Sequence, residues 1–516
     1  MDTIVNSVGR KIPTKIDDRD IKPYNGAFAT SPSPWKAPMK AGFIKPGESK
    51  ILSSIEQTIE KTGLKDGMTV SFHHHLRNGD SVINMVMDAI AQKGIKNIRI
   101  FPTALFPVHD HIIPYIENGV ITSIEGSMNG SIGEAATYGI LPKCAVLRSH
   151  GGRIRAIHSG DVKIDVAFLA ASSADPYGNC NGIFGPNFFG PVGLARADAM
   201  FAEHVVIVTD NLVEYPAYPI SISQKYVDYV VEVPSIGDHN GIVSGTTEIT
   251  KDPKQLELAE QIVKLIEHSG LLKEGISFQA GAGGVSLASM KFLHDYMKEK
   301  GIRGSFAIGG TTKYLVDMLR DGTIRILLTG QSFDLDSIES IARDFGHQEI
   351  TTDFYANIHN KGCAVNWLDV VILGATEVDV DFNVNVNTHS DGKLLHGIGG
   401  HQDTAAGAKL TIIICPLYRK KIPIVRKKVT TITTPGETVD AIVTNEGIAI
   451  NPRRQDLLKR LEKSDLPIKE IKDLQKQAYD ITGEPPELKT TDRIIALIEY
   501  RDGTIIDVVR QLKKDS

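Results

Sequence analysis

One set of landmarks occurs twice in this chain, in the same order and roughly 200 residues apart. Lys65-Asp66-Gly67 closes an apolar-periodic segment and opens a strand, and Lys273-Glu274-Gly275 repeats the device. Lys93-Gly94-Ile95 recurs as Lys300-Gly301-Ile302, Asn118-Gly119 as Asp321-Gly322, and Ile164-Asp165-Val166 as Leu368-Asp369-Val370. Asp175–Asn179 is matched by Asp379–Asn383. Ordered landmarks at a nearly constant offset imply two copies of one fold, and the cleft between the copies is the first place to look for function.

Between landmarks, helical apolar spacing over Leu52–Lys61 and Val82–Ala91 alternates with strand-like runs at Met68–Phe72 and Ile98–Phe101. That alternation predicts α/β architecture with mainly parallel sheets. Five prolines interrupt the polar residues 1–45, which predicts an extended N-terminal arm pinned by Trp35. The expected divisions are 1–45 for the arm, 46–250 for the first unit and 251–516 for the second. The first unit ends in the β-rich stretch Tyr226–Val233, and the polar segment Thr246–Lys254 links it to a helix over Gln255–His268 signalled by Asp252-Pro253. The tail, Gln455–Ser516, reads as a charged helical extension with one short strand at Thr504–Val508.

At 516 residues, 41% apolar and 23% charged, the chain has material for two large cores. A net charge of -5 gives no general attraction to nucleic acid or anionic membrane. The longest apolar run, 410–417, is too short to span a bilayer, and the N-terminus has no signal-peptide pattern. The four scattered cysteines form neither a disulfide framework nor a zinc pattern, so a reducing cytoplasm is expected.

Chemistry-bearing residues fall at strand ends. After the first strand of the second copy comes Gln279-Ala280-Gly281-Ala282-Gly283-Gly284, where glycines before a helix leave backbone N–H groups open to an anion or oxyanion. The first copy instead reads His73-His74-His75-Leu76-Arg77-Asn78, offering side-chain donors and positive charge. Adjacent histidines on an extended chain alternate faces, so a metal site is not expected. From Val378 to Val386 the apolar residues alternate with Glu377, Asp379, Asp381, Asn383, Asn385 and Asn387, which predicts a long strand with a solvated polar face. Glu377 follows directly on the apolar strand Val370–Leu373 and is the one carboxylate there placed for chemistry. A second glycine loop, Gly397-Ile398-Gly399-Gly400-His401-Gln402-Asp403, precedes a short helix and the strand Leu410–Cys415.

GATEVDVDFNVNVN, GIGGHQDTAAGAK and FQAGAGG resemble conserved stretches of the coenzyme A transferase family, and Ala174–Asn179 resembles an element of that family's other subunit. SFHHHLRNGD, SHGGRIRAI and ADPYGNCNG resemble, over essentially the full length, the alpha-chain family of bacterial citrate lyases. The resemblance implies two tandem CoA-transferase-type units. It also implies transfer of a thioester-linked carrier, acyl carrier protein or CoA, from acetate to citrate. It implies as partners a beta chain that cleaves citryl thioester and a gamma chain that is the carrier, in an oligomer. This chain itself would hold no cofactor.

Ordinary family members use a glutamate nucleophile, yet Leu328–Asp334, where the second copy should offer it, contains none. The implied route is attack by citrate's own carboxylate, a mixed anhydride, and recapture by the thiolate. On this reading His73, His74, His75, Arg77, Asn78, Arg153 and Arg155 hold citrate, and Gly281, Gly283, Gly284, Gly399 and Gly400 supply oxyanion donors. The alternative is a glutamate-dependent acyl-CoA transferase or acetyl-CoA hydrolase with Glu377 as nucleophile. A ligand sensor or scaffold on a shared fold is the third.

Overall fold

The computed structural model describes residues 2–29, 34–243, 249–281 and 283–514. Part of the expected linker, 246–248, and Ala282 of the glycine loop lie outside the described residues.

Two sheets organise the chain. The first is built from β1 (Thr69–Phe72), β2 (Ile98–Pro102), β3 (Ile121–Ile124), β4 (Val166–Ala171), β5 (His204–Thr209) and β6 (Tyr229–Glu232). Its spatial order is β3-β2-β1-β4-β5-β6, all parallel, with the two-residue strand Ile51–Leu52 beyond β6. The second contains β7 (Ser277–Ala280), β8 (Gly304–Thr311), β9 (Ile324–Ser332), β10 (His347–Glu349), β11 (Val370–Gly374), β12 (Leu410–Ile414), β13 (Ala441–Thr444) and β14 (Gly447–Ile450). Its order is β10-β9-β8-β7-β11-β12-β13-β14, parallel except for the final hairpin. In each sheet the first three strands run one way from the centre, with β10 added beyond β9 in the second sheet, and the next three parallel strands, β4-β5-β6 and β11-β12-β13, run the other way. Chain direction across the sheet reverses beside β1 and beside β7, which opens a crevice at their carboxyl ends.

The duplication extends to single hydrogen bonds. Asp175 Oδ1 accepts from the backbone N–H of Tyr177 and Asn179, and Asp379 Oδ1 accepts from Asp381 and Asn383. Asp165 caps Thr69 N as Asp369 caps Ser277 N, and Asp228 holds Val205 N as Asp440 holds Thr411 N. These buried or half-buried carboxylates satisfy strand-end donors that would otherwise be orphaned. The polar landmarks therefore recur because the same backbone gaps recur.

Strands of the second sheet bury both faces. Val370, Ile372, Leu410 and Ile412 enter one core, while Val371, Leu373 and Ile413 enter another. Continuous apolar strands such as LTIII follow from helices covering both sides. Asp252 caps the helix Pro253–His268 by accepting from Lys254 N, as its Asp-Pro signal predicts.

Three expectations fail. The alternating stretch after Glu377 is not one strand: Glu377–Asp379 and Val384–Asn385 form a tight hairpin, with Phe382 at φ +65° in the turn. Except for Asp381, exposed in the turn, its polar side chains are buried and bonded to backbone or to a neighbouring polar group, so most of that face is not solvated. The tail is also more than a helical extension of the second unit. After the helices Gln455–Leu461 and Ile471–Thr482 it forms a long hairpin of β15 (Thr490–Glu499) and β16 (Ile505–Leu512). β15 pairs in parallel with Ala145–Leu147, and Ile495, Ala496, Ile498 and Tyr500 enter the first unit's core. Burying these apolar residues against the first half outweighs their position in sequence. The arm is not wholly extended either: Thr3–Val5 pairs with Lys11–Pro13, and Asn6 Nδ2 donates to Ile506 O on the hairpin. Trp35 packs on His158, ring centroids 4.0 Å apart. Among the described residues no helix is long and apolar enough to cross a membrane.

Candidate functional site

The histidine loop leaves the carboxyl end of β1 and turns sharply. Gly79 fits because a Cβ there would lie 1.9 Å from Asp238 O, and Arg77 holds φ +54°, a costly conformation for a residue with a side chain. All three histidines are buried, and burial lowers each of their pKa values. They do different things. His73 Nε2 lies 3.1 Å from Asp198 Oδ2, the carboxylate that also receives both Arg153 terminal nitrogens at 2.7 and 2.8 Å. His75 stacks on Phe189 with centroids 4.7 Å apart.

His74 reaches the second half of the molecule. Thr103 Oγ1 accepts from the His74 backbone N–H at 3.1 Å and lies 2.5 Å from Nδ1, so its own hydrogen is available to that nitrogen. This assigns Nε2 as the proton-bearing nitrogen, 3.3 Å from Gln331 Oε1 at the carboxyl end of β9. Beside it the Arg77 guanidinium stands 4.8 Å over the Phe333 ring. Loops from the two halves thus meet directly.

The other motifs converge by the same logic. The helix His150–His158 begins at the Ser149 cap, whose Oγ accepts from Gly152 N. Ser149 Oγ donates to Asp403 Oδ1 and Gly151 N to Asp403 Oδ2, at 2.9 and 3.0 Å. Burial pushes the Asp403 carboxyl up to about 6, against the pull of these donors and Arg501. The His150 N–H donates to Gly399 O at 2.8 Å, which docks the SHGGR helix on the second glycine loop. Tyr355 O–H donates to Gln279 Oε1 at 3.0 Å and packs over Gly400, where an added Cβ would meet it at 2.5 Å. Burial holds His150 and His401 down to about 4, so both are neutral at pH 7.

Several buried polar atoms here have no hydrogen-bond partner among the described residues: His73 Nδ1, His75 Nε2, Arg77 Nη1, Gln331 Nε2 and Thr312 Oγ1. Buried donors and acceptors are normally satisfied, so such a group at one junction marks space for a polar ligand.

Other expected site residues lie elsewhere or are committed. Arg155 binds Glu499 of the C-terminal hairpin and Asp161, and Asn78 is exposed, accepting from Val108 N. Arg153 spends its terminal nitrogens on Asp198, Ser71 and Phe101 O. Gly281 N donates to Ile372 O, while Gly283 caps the helix Gly284–Lys300 with open space beside its Cα. Glu377 is fully buried: Arg426 pairs with one oxygen at 2.7 Å, and Thr430 N and Asn385 Nδ2 donate to the other. The turns that join β7, β8 and β9 to the helices after them, residues 281–283, 312 and 333–334, contain no glutamate. Gln331, Thr103, Tyr355, Asp198 and Phe333 were not legible as site residues, because none lies in a telling spacing.

Gly151 supplies a structural test. Its Cβ would sit 2.1 Å from Ala356 O and 2.7 Å from Asp403 Oδ1. Gly151→Ala is expected to lower stability by ~1–3 kcal/mol through overpacking, read as a lower thermal midpoint. An unchanged midpoint would show that the helix can withdraw without cost.

A family model described as citrate lyase, alpha subunit, matches residues 48–512. The citrate lyase alpha chain of Klebsiella pneumoniae is 45% identical over 494 residues, 96% of each chain, and that of Escherichia coli is 44% identical over 471 residues, covering 91% of this chain and 92% of its own. A structure from Streptococcus mutans, described as a citrate lyase alpha subunit in complex with citrate, superposes with a TM-score of 0.96 at 46% identity, covering 99% of this chain and all of that one. At fold level, a 4-hydroxybutyrate CoA-transferase from Porphyromonas gingivalis aligns over 84% of this chain and 96% of its own, with a TM-score of 0.53 and 17% identity. With a CoA-transferase fold in both halves and this likeness along nearly its whole length, the chain belongs to the citrate lyase alpha subunit family.

Proposed function

We propose that this chain is a citrate transferase, moving a thiol carrier from acetate to citrate at the junction of its two halves. The observation that carries the reading is the convergence of unpartnered buried donors from both halves around His74, Arg77 and Gln331. A relative of 46% identity described with bound citrate supports the substrate.

A citrate carboxylate oxygen attacks the acetyl thioester carbonyl, and the oxyanion collapses with loss of thiolate to give an acetyl citryl anhydride. The thiolate then attacks the citryl carbonyl, acetate leaves, and the products are citryl thioester and acetate. The chain's own groups have three tasks. His74 Nε2–H, His75 and Arg77 bind carboxylates; backbone N–H groups at Gly283, Gly284, Gly399 and Gly400 face the oxyanions; close packing of the halves keeps water from the anhydride. No nucleophilic glutamate is required, and Glu377 is fully held in its ion pair. Incubation with acetyl-CoA and citrate, then hydroxylamine and peptide mass analysis, tests this: citryl-CoA forms and no glutamate is labelled. One labelled glutamate would sink it.

Family membership implies assembly with the other citrate lyase subunits. In this reading, within the cytoplasm, the gamma chain delivers the acetyl thioester on its phosphopantetheine-type group and the beta chain cleaves the citryl product.

Citrate binding has a pH signature. Burial keeps His74, His75 and His150 below their ordinary pKa, so they are neutral before citrate arrives. A bound trianion raises those values, since opposite charge favours the protonated form. Binding therefore takes up protons, and affinity rises as pH falls below the bound-state values. Calorimetry in buffers of different ionisation enthalpy is expected to show net uptake; proton release would contradict it.

A further inference from the structure

At the opposite end of the second sheet, the amino ends of β8, β9 and β10 frame a concavity of about 410 Å³. Arg303 precedes β8, Arg325 lies in the first turn of β9, and Arg320 and Arg343 close the sides. Arg320 pairs with Asp344 at 2.8 Å and Arg343 with Glu339 at 2.5 Å. Arg303 and Arg325 are exposed and their guanidinium groups enter no ion pair among the described residues, although the Arg303 backbone N–H donates to Glu274 Oε2 at 2.9 Å. In a chain of net charge -5, this is a local reversal of sign. At its rim stands Phe345, 99% exposed.

The repeat supplies an internal comparison. Where the second copy has Arg303, Arg320 and Arg325, the aligned positions of the first are Lys96, Glu117 and Thr122. Only the first of these keeps a positive charge, so the shared fold does not need basic residues at the other two. Arginine and aromatic residues together are the composition of protein interfaces, where they act as anchors. The concavity is shallow and open, which suits a protein surface more than an enclosed small molecule.

We propose that this face docks a partner protein through an acidic segment, with Phe345 inserting into an apolar notch. Its position matters. The eight residues of β8 put it about 25 Å from the reaction end, so a protein bound here leaves the transfer site open. The occupant is then a standing member of the assembly, and a carrier can come and go at the other end. This rests on the family's multi-subunit assembly, as read above.

The test titrates the two other citrate lyase subunits, each purified, against full-length chain at low and moderate salt. The variants are Arg303→Glu/Arg325→Glu, Phe345→Ala, and a Lys472→Glu/Lys476→Glu control of equal charge change on another face. The beta chain, as the standing member, is expected to bind with salt-sensitive affinity, tenfold or more weaker in the arginine double variant, weaker in Phe345→Ala and unchanged in the control. Citrate-dependent turnover of acetyl-CoA stays at the wild-type rate in all three. Binding of the beta chain to the arginine variant within twofold of wild type, no binding of the beta chain to wild type, or a loss in the arginine variant confined to the carrier, overturns the proposal. A wild-type chain that binds its partner but does not transfer to citrate would overturn the functional reading instead.

Discussion

Replacing His74 by alanine lowers kcat/KM for citrate by about 10²- to 10³-fold, with the fold intact. The size follows from removing a buried, preoriented donor facing developing or fixed negative charge. Thr103 sets the His74 tautomer, so Nε2–H points at the junction without any reorganisation when citrate arrives. In the free protein that hydrogen is spent on Gln331 Oε1 across a long 3.3 Å contact, weak enough to be exchanged for a carboxylate. Two further measurements separate this role from a structural one. Thr103→Val, which removes the tautomer-setting hydroxyl, lowers kcat/KM in the same direction by a smaller factor. His74→Gln, which keeps a donor, recovers part of the loss. Steady-state rates with varied citrate at fixed acetyl-CoA read all three. A His74→Ala enzyme within threefold of wild type would remove this residue from the mechanism.

Asp198→Ala destabilises the protein by about 3–5 kcal/mol, the usual cost of leaving a buried charge unpaired. Arg153 donates to both oxygens of Asp198, Ser71 Oγ donates to one, and His73 lies against it, all out of contact with water. Burial alone would raise the Asp198 pKa, but Arg153 and His73 outweigh it and hold the carboxyl well below the ordinary range. The sign of the pH effect follows. The group is depressed in the folded state, so its contribution is fully present above the unfolded carboxylate value of about 4. It is lost as pH falls through the folded value. The gap in thermal midpoint between wild type and Asp198→Asn is therefore expected to hold from pH 7 to about 4 and to narrow as pH falls further. A gap that stays constant well below pH 4 would mean that the carboxyl is not depressed by its partners. The Arg153→Met variant, removing the other charge, is expected to be damaged comparably and to abolish the depression.

The doubled landmarks made the architecture legible because each one performs a backbone task. Asp175 and Asp379 close matching turns, and Asp165 and Asp369 cap matching strands, so a sequence repeat reports a fold repeat directly. The polar stretch after Glu377 misled for a related reason. Alternation signals a two-faced strand only when one face meets solvent, and here Glu377, Asp379, Asn383, Asn385 and Asn387 are all buried and bonded inward, with Asp381 alone exposed in the turn. The site was partly legible. Glycines and histidines stood out because they cluster just past strand ends, where α/β sites lie. Arg153 and Arg155 resembled anion ligands in the sequence because a guanidinium carries no mark of its partner; Asp198 and Glu499 lie 45 and 344 residues away. Gln331 was hidden for the same reason, since only the packing of one half on the other makes it face His74.

The C-terminal hairpin sets an order for biogenesis. β15 completes a small sheet with Ala145–Leu147, and its apolar residues fill the first unit's core. A ribosome has finished the first half long before it makes these strands, so an apolar seam waits open throughout synthesis of the second half. The first half reaches its final form only after β15 and β16 emerge, which makes a chain interrupted before them a target for chaperones and proteases.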